Sequence, residues 1–170
     1  MATTPYISSI TIDSVMDALG AFLQPFVGST PIIRAQVNRV SSPVDAFVEM
    51  TEILQVDLET PTSIYVPAND QTNITGPKRI DIQVDFYGAT SGDQSTAVKT
   101  VFRSEYCAEQ FPGNIQPLYC SDSHQAPLIT GEEQYENRWT LTVSLQYNPF
   151  VAIPQQAATE VVVTISEDIP

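Results

Sequence analysis

Apolar residues near the start of the chain recur at helical spacing. Ile12, Val15, Met16, Leu19, Phe22 and Leu23 fall on one stripe, which predicts a helix over 10–23 lying against a core. Thr11 is placed to cap it, Asp13 suits its positive first turn, and Ile10 with Val15 can staple the entry. Pro25 lacks an N–H and predicts a stop near Gln24. Residues 31–40 (PIIRAQVNRV) predict a strand of mixed faces, broken by Ser41-Ser42-Pro43. Over 46–58, Val48, Met50, Leu54, Val56 and Leu58 share one parity that Glu52 interrupts, so a bulge or bend is expected near Thr51 and Glu52. A further extended piece is expected at 63–66. The polar stretch 67–77 (PANDQTNITGP) predicts an exposed loop or hairpin tip.

The alternation is strictest at 79–87 (RIDIQVDFY), with Ile80, Ile82, Val84 and Phe86 on one face and Asp81, Gln83 and Asp85 on the other. This predicts a strand with one buried and one wet face. Asp93 is expected to cap a second helix that runs to about Gln110 and buries Ala97, Val98, Val101, Phe102 and Ala108. A short strand is expected at 115–119. Another clear strand spans 138–147, with Trp139, Leu141, Val143, Leu145 and Tyr147 inward and Thr140, Thr142, Ser144 and Gln146 outward. Residues 149–156 read as a linker to a last strand candidate at 157–165. No βαβ unit repeats, so the pattern predicts an α+β fold: an antiparallel or mixed β-sheet with two helices packed on one face. Residues 1–170 read as a single α+β domain, with a long loop or hairpin near 61–78 and an extended C-terminal arm near 149–170.

Composition narrows the function. Of 170 residues, 20 are acidic and 7 basic, a formal charge of −13. That disfavours a nucleic-acid footprint and docking on anionic membranes. No apolar run is long enough to span a bilayer, and the first residues lack the pattern of a signal peptide. Between Val40 and Pro77 there is no Lys or Arg, whereas Asp45, Glu49, Glu52, Asp57, Glu59 and Asp70 all fall there. Such a stretch is either a solvated face or a surface that repels an anion or meets a basic partner.

Candidate chemistry is sparse. Cys120-Ser121-Asp122-Ser123-His124 holds the residue types of a hydrolytic triad, but a triad draws its members from separate elements. Asp122, His124, Glu132, Glu133 and Glu136 lie near one another without the spacing of a zinc or calcium site. Cys107 and Cys120 permit one disulfide and read more simply as buried thiols. Gly88 and Gly92 sit between a strand and a helix but lack the remainder of a phosphate fingerprint. Lys99 and Arg103 share a helix face that could meet a partner's carboxylates. Asn73-Ile74-Thr75 matches a glycosylation sequon by pattern alone. No catalytic, cofactor-binding or metal-binding residue is therefore assigned, and no cofactor is expected.

Several blocks are similar to those of bacteriophage tail terminator and neck proteins. They are residues 47–51 (FVEMT), 83–88 (QVDFYG), 102–106 (FRSEY), 117–122 (PLYCSD), 131–139 (GEEQYENRW) and 145–149 (LQYNP). The resemblance spans roughly 10–165 and keeps the order of the blocks. It implies a non-enzymatic, tail-terminator-like domain that forms a homo-oligomeric ring, usually of six copies, at the head-proximal end of a long tail. It implies a tail tube protein on one face and a head-side connector or neck protein on the other. Phage DNA would pass through the lumen without sequence-specific binding, with no membrane involved, in a virion assembled in the bacterial cytoplasm. The alternatives are another tail or neck completion protein of similar fold, or a binding module that closes no ring. A small hydrolase would require His124 beside a nucleophile and a carboxylate from other elements.

Overall fold

A computed structural model describes residues 5–35, 45–126, 128–129 and 135–155. Helix α1 (Ile12–Val27) starts where expected, with the Thr11 hydroxyl accepting from the Ser14 N–H at 3.2 Å. It buries Val15, Met16, Leu19, Phe22, Leu23 and Val27 and continues past Pro25. The missing proline N–H would have met the carbonyl of Ala21, which lies on the exposed side, so water can satisfy it. The stop comes instead at Gly28, at φ 62°, whose N–H bonds the Gln24 carbonyl at 3.0 Å.

Two sheets follow. The larger contains β1 (Ile32–Arg34), β2 (Val48–Asp57), β5 (Lys78–Tyr87), β10 (Arg138–Tyr147) and β6 (Ile115–Cys120) in that spatial order, with the short β7 (His124–Gln125) also on β10. β1 runs parallel to β2, and the other ladders are antiparallel, so the sheet is mixed. The smaller sheet has the order β11 (Phe150–Pro154), β4 (Gln71–Thr75), β3 (Thr62–Val66). The 67–77 stretch is thus a hairpin tip at Pro67–Asn69 followed by strand β4, and the 149–156 stretch contains a strand paired along β4. Ser9 joins this sheet, donating its N–H to the Phe150 carbonyl and accepting from the Phe150 N–H, both at 2.9 Å. Strands β8 (Leu128–Ile129) and β9 (Tyr135–Glu136) pair with each other. Residues 36–44, which complete the predicted 31–40 strand, and the 157–165 candidate lie outside the described residues.

The expected second helix is two helices. α2 (Ser91–Phe102) begins after Thr90, with Asp93 inside its first turn and not at the cap. The chain breaks at Arg103-Ser104 before α3 (Glu105–Gln110). Ser104 causes the break by serving both sides: its hydroxyl donates to the Val101 carbonyl at 2.6 Å and accepts from the Cys107 N–H at 3.4 Å. The buried sides of α1, α2 and α3 join Val48, Met50, Ile80, Ile82, Val84, Phe86, Leu141, Val143 and Leu145 in one apolar cluster. Phe22 links the helices, with its ring 5.7 Å from Phe102 and 5.4 Å from Phe111. The three helices therefore share one face of the larger sheet.

Two further expectations fail in part. The opposite face is not uniformly wet, because Asp85, Thr140 and Ser144 are buried there. Phe47 stacks on Tyr87 at 4.2 Å, and Arg138 lies against Tyr87 and bonds Asp85, so a polar side chain on that face can still lose its water. Trp139 has the inward parity but is only half-buried, its ring lying over Gly92 in the first turn of α2.

Candidate functional site

The residues 120–124 diverge. Cys120 points into the core, with Val143 opposite it across the ladder. Ser121 accepts from the Thr142 N–H at 2.8 Å, and Asp122 takes the Lys99 ammonium at 2.6 Å, which holds its carboxyl below the usual range. The Ser123 hydroxyl meets that of Ser95 at 2.8 Å, and His124 is exposed on β7 opposite Thr140. No nucleophile, base and orienter converge here. Glu132 and Glu133 lie outside the described residues. Among the described residues no three His, Cys, Asp or Glu side chains group as metal ligands. Cys107 and Cys120 are free and buried. Burial pushes Cys107 up to about 12 and Cys120 up to about 11, so neither is a ready nucleophile.

The glycine turn is likewise occupied by the protein itself. The Gly88 N–H donates to the Asn137 carbonyl at 3.1 Å, and Ser91 closes on the Gly88 carbonyl at 2.7 Å. Gly88 sits at φ 108°, and a Cβ there would lie 2.6 Å from that of Ala46, so glycine serves close packing. Asn73-Ile74-Thr75 is part of β4, flanked by β3 and β11. A cleft of about 200 Å³ between α1, β1 and β2 is smaller than usual ligand pockets. Its Arg34 is already held by Asp13 and Asp17 at 2.5 Å each.

What the fold leaves unsatisfied is edge. β1 covers β2 only at Val48–Met50, so among the described residues the rest of β2 has no outer partner. Among the described residues β6 likewise has β10 on one side only. Each of these edge strands carries one extra residue that shifts its register: Ile53 in β2, between Glu52 and Leu54, and Leu118 in β6. The interrupted parity at Glu52 was legible in the sequence, but its effect was not. The bulge turns Leu54, Val56 and Leu58 away from the face of Val48 and Met50, leaving them exposed opposite the helices. Periodicity gave no sign of Leu118.

Charge differs between the two edges. The acids of 45–59 are not one unpaired row: Asp57 holds Lys78, and Glu49 lies 3.5 Å from the Tyr87 hydroxyl, while Glu52 and Glu59 are exposed and in no ion pair among the described residues. At the β6 edge, Lys99 is held by Asp122, whereas Arg103 is exposed over the Tyr119 ring at 6.0 Å. Arg39 lies outside the described residues; of the other six Lys and Arg, five form ion pairs, and Arg103 forms none with the described residues.

Comparison with known proteins gives these edges a context. A solved structure, the sheath/tube terminator of the extracellular contractile injection system PVC in its extended state, is similar to this chain with a TM-score of 0.50 at 13% identity. The match covers 94% of this chain and 65% of that one, so the chain spans about two-thirds of that protein's length. This likeness is one of fold. No curated protein matches the sequence. The family model for phage neck terminator proteins matches residues 13–169. With nearly the whole chain inside that match, the protein belongs to the phage neck terminator family, a family of structural proteins.

Proposed function

We propose that the protein, with residues 1–170 forming a single α+β domain, closes the head-proximal end of the phage tail tube as a ring of six copies. One axial face meets the tail tube protein and the other meets a head-side connector or neck protein. Phage DNA crosses the lumen without sequence-specific contact. The ring forms part of the virion and is assembled in the bacterial cytoplasm. The family match over 13–169 carries this reading. Physical features support it. A head-to-tail contact that closes on itself removes free lateral edges, and among the described residues two edges of one sheet lack partners. A formal charge of −13 disfavours retention of a passing polyanion. No described helix is long and apolar enough to cross a membrane.

The test is mass photometry of the purified protein, alone and with its tail tube protein, followed by imaging of any assembly. The expected result is a six-fold closed species, bound to tube ends when tube is present. A strictly monomeric protein in both conditions overturns the proposal. Open or laterally growing polymers would move it to another completion role.

A further inference from the structure

Accepting the ring reading above, we infer that its lateral contact joins the two edges of the larger sheet that have no partner among the described residues: the outer half of β2 in one copy and β6, with the end of α2, in the next. Three features of the ladders lead there. First, β2, β5, β10 and β6 alternate in direction, so β2 and β6 run opposite ways. A second copy in the same orientation therefore continues the antiparallel alternation across the junction. Second, the free part of β2 lies level with β6. Leu54 is opposite Asp81, Asp81 opposite Ser144, and Ser144 opposite Tyr119. The same reading connects Glu52 through Ile82 and Val143 to Cys120. Neighbours set side by side would thus place β2 beside β6 without an axial shift.

Third, the two edges match in chemistry when the helix layers are aligned. Glu52 stands on the helix side of β2, and Arg103 stands at the end of α2 in the helix layer beside β6. Both are exposed and in no ion pair among the described residues. At mid-edge the bulge residues Ile53 and Leu118 are 50% and 46% exposed. Leu54, 47% exposed, and Tyr119, 49% exposed, leave their strands with far-side parity, and the Tyr119 ring reaches around the edge to Arg103 at 6.0 Å. The β6 edge therefore offers a cation, an aromatic ring and an aliphatic bulge to the anion, leucine and aliphatic bulge of β2. The contact is heterologous, so one copy's β2 edge needs another copy's β6 edge and rotation closes the set.

Edge-blocked variants test the assignment. Ile53→Glu with Leu54→Glu blocks one edge, and Arg103→Glu with Leu118→Glu blocks the other, so that the two blocked edges also repel each other. Each should remain monomeric while keeping the wild-type circular dichroism spectrum and melting profile. Mixed one to one, they retain one intact edge of each kind and should form a heterodimer that grows no further. Independently of those variants, Leu54→Cys with Tyr119→Cys in one chain should oxidise to a covalent ladder ending at the ring size, and neither single cysteine should do so. A wild type that closes while both blocked variants also close, or while the paired cysteines give no ladder, overturns the edge assignment and leaves the ring standing. A wild type that never assembles, with or without tube, removes the ring and this contact together.

Discussion

Asp85 shows how one residue can depart from its pattern. Alternation correctly placed it with Asp81 and Gln83 on the face away from the helices, yet it is 1% exposed. Parity states which way a side chain points and says nothing about what covers it. Here the cover comes from Phe47, Tyr87 and Arg138, and the Phe47 ring belongs to a segment distant in sequence. The Asp85 carboxylate is held by Arg138 at 2.9 Å and Gln83 at 2.8 Å, while its Oδ1 has no partner among the described residues. Arg138→Leu should cost about 3–5 kcal/mol in urea melts, because it strands a buried charge. Adding Asp85→Leu should recover most of that loss, which a simple loss of packing would not. The two cysteines set a second residue-scale expectation. In the fold they keep their protons to about 12 and about 11, chiefly through desolvation, against an ordinary 9.0. Above about pH 9 the unfolded chain binds fewer protons than the folded one, so stability falls as pH rises toward those values. Cys107→Ala with Cys120→Ala should lower stability near neutrality but flatten its further decline between about pH 8 and about pH 10 in denaturant melts.

At the scale of elements, strands with strict alternation and the stripe of α1 were legible because burial on one face imposes the period directly. Helix ends were less so. Pro25 is tolerated because its missing bond falls on the wet side of the last turns, a matter of helix phase against the core. The break between α2 and α3 depends on Ser104 bonding in both directions, which its single letter does not reveal. Trp139 has the inward parity of β10 but lies at the end where α2 begins, so close that a Cβ on Gly92 would fall 3.1 Å from its ring. Trp139→Ala should therefore cost about 1–3 kcal/mol in denaturant melts, less than a central aromatic would. The bulge in β2 gives a sharper element test. Deleting Ile53 returns Leu54 and Val56 to the helix side and separates Gln55 from the Tyr147 hydroxyl, now 2.7 Å apart. We expect the deletion to keep the near-UV spectrum while abolishing the proposed ring in mass photometry. Retained assembly would show that the β2 edge is irrelevant to it.

For the whole molecule, sequence blocks identified the family, whereas the pairing that creates the free edges could not be read from them. Which strands flank one another depends on contacts far apart along the chain, such as β11 returning to β4 and β10 lying between β5 and β6. The charge of −13 per copy sets the expected salt response of assembly. Long-range repulsion among copies is screened over roughly 8–10 Å at ordinary ionic strength, while one Arg–Glu contact supplies little by comparison. Raising salt from about 0.05 M to about 0.5 M should shift mass-photometry distributions toward the proposed ring. A shift toward monomer would place most of the contact energy in ion pairs.

The ladder between β5 and β10 runs unbroken from Lys78–Tyr147 to Tyr87–Arg138. Tension along the strands would have to shear all of its rungs at once, whereas tension across them opens one rung after another. In the proposed ring, joined edge to edge, any outward hoop stress would act across the strands and would load the seams between copies as well as the long ladder within each copy. Such a collar, if its seams yield first, would part at its joints with its subunits still folded and able to close again.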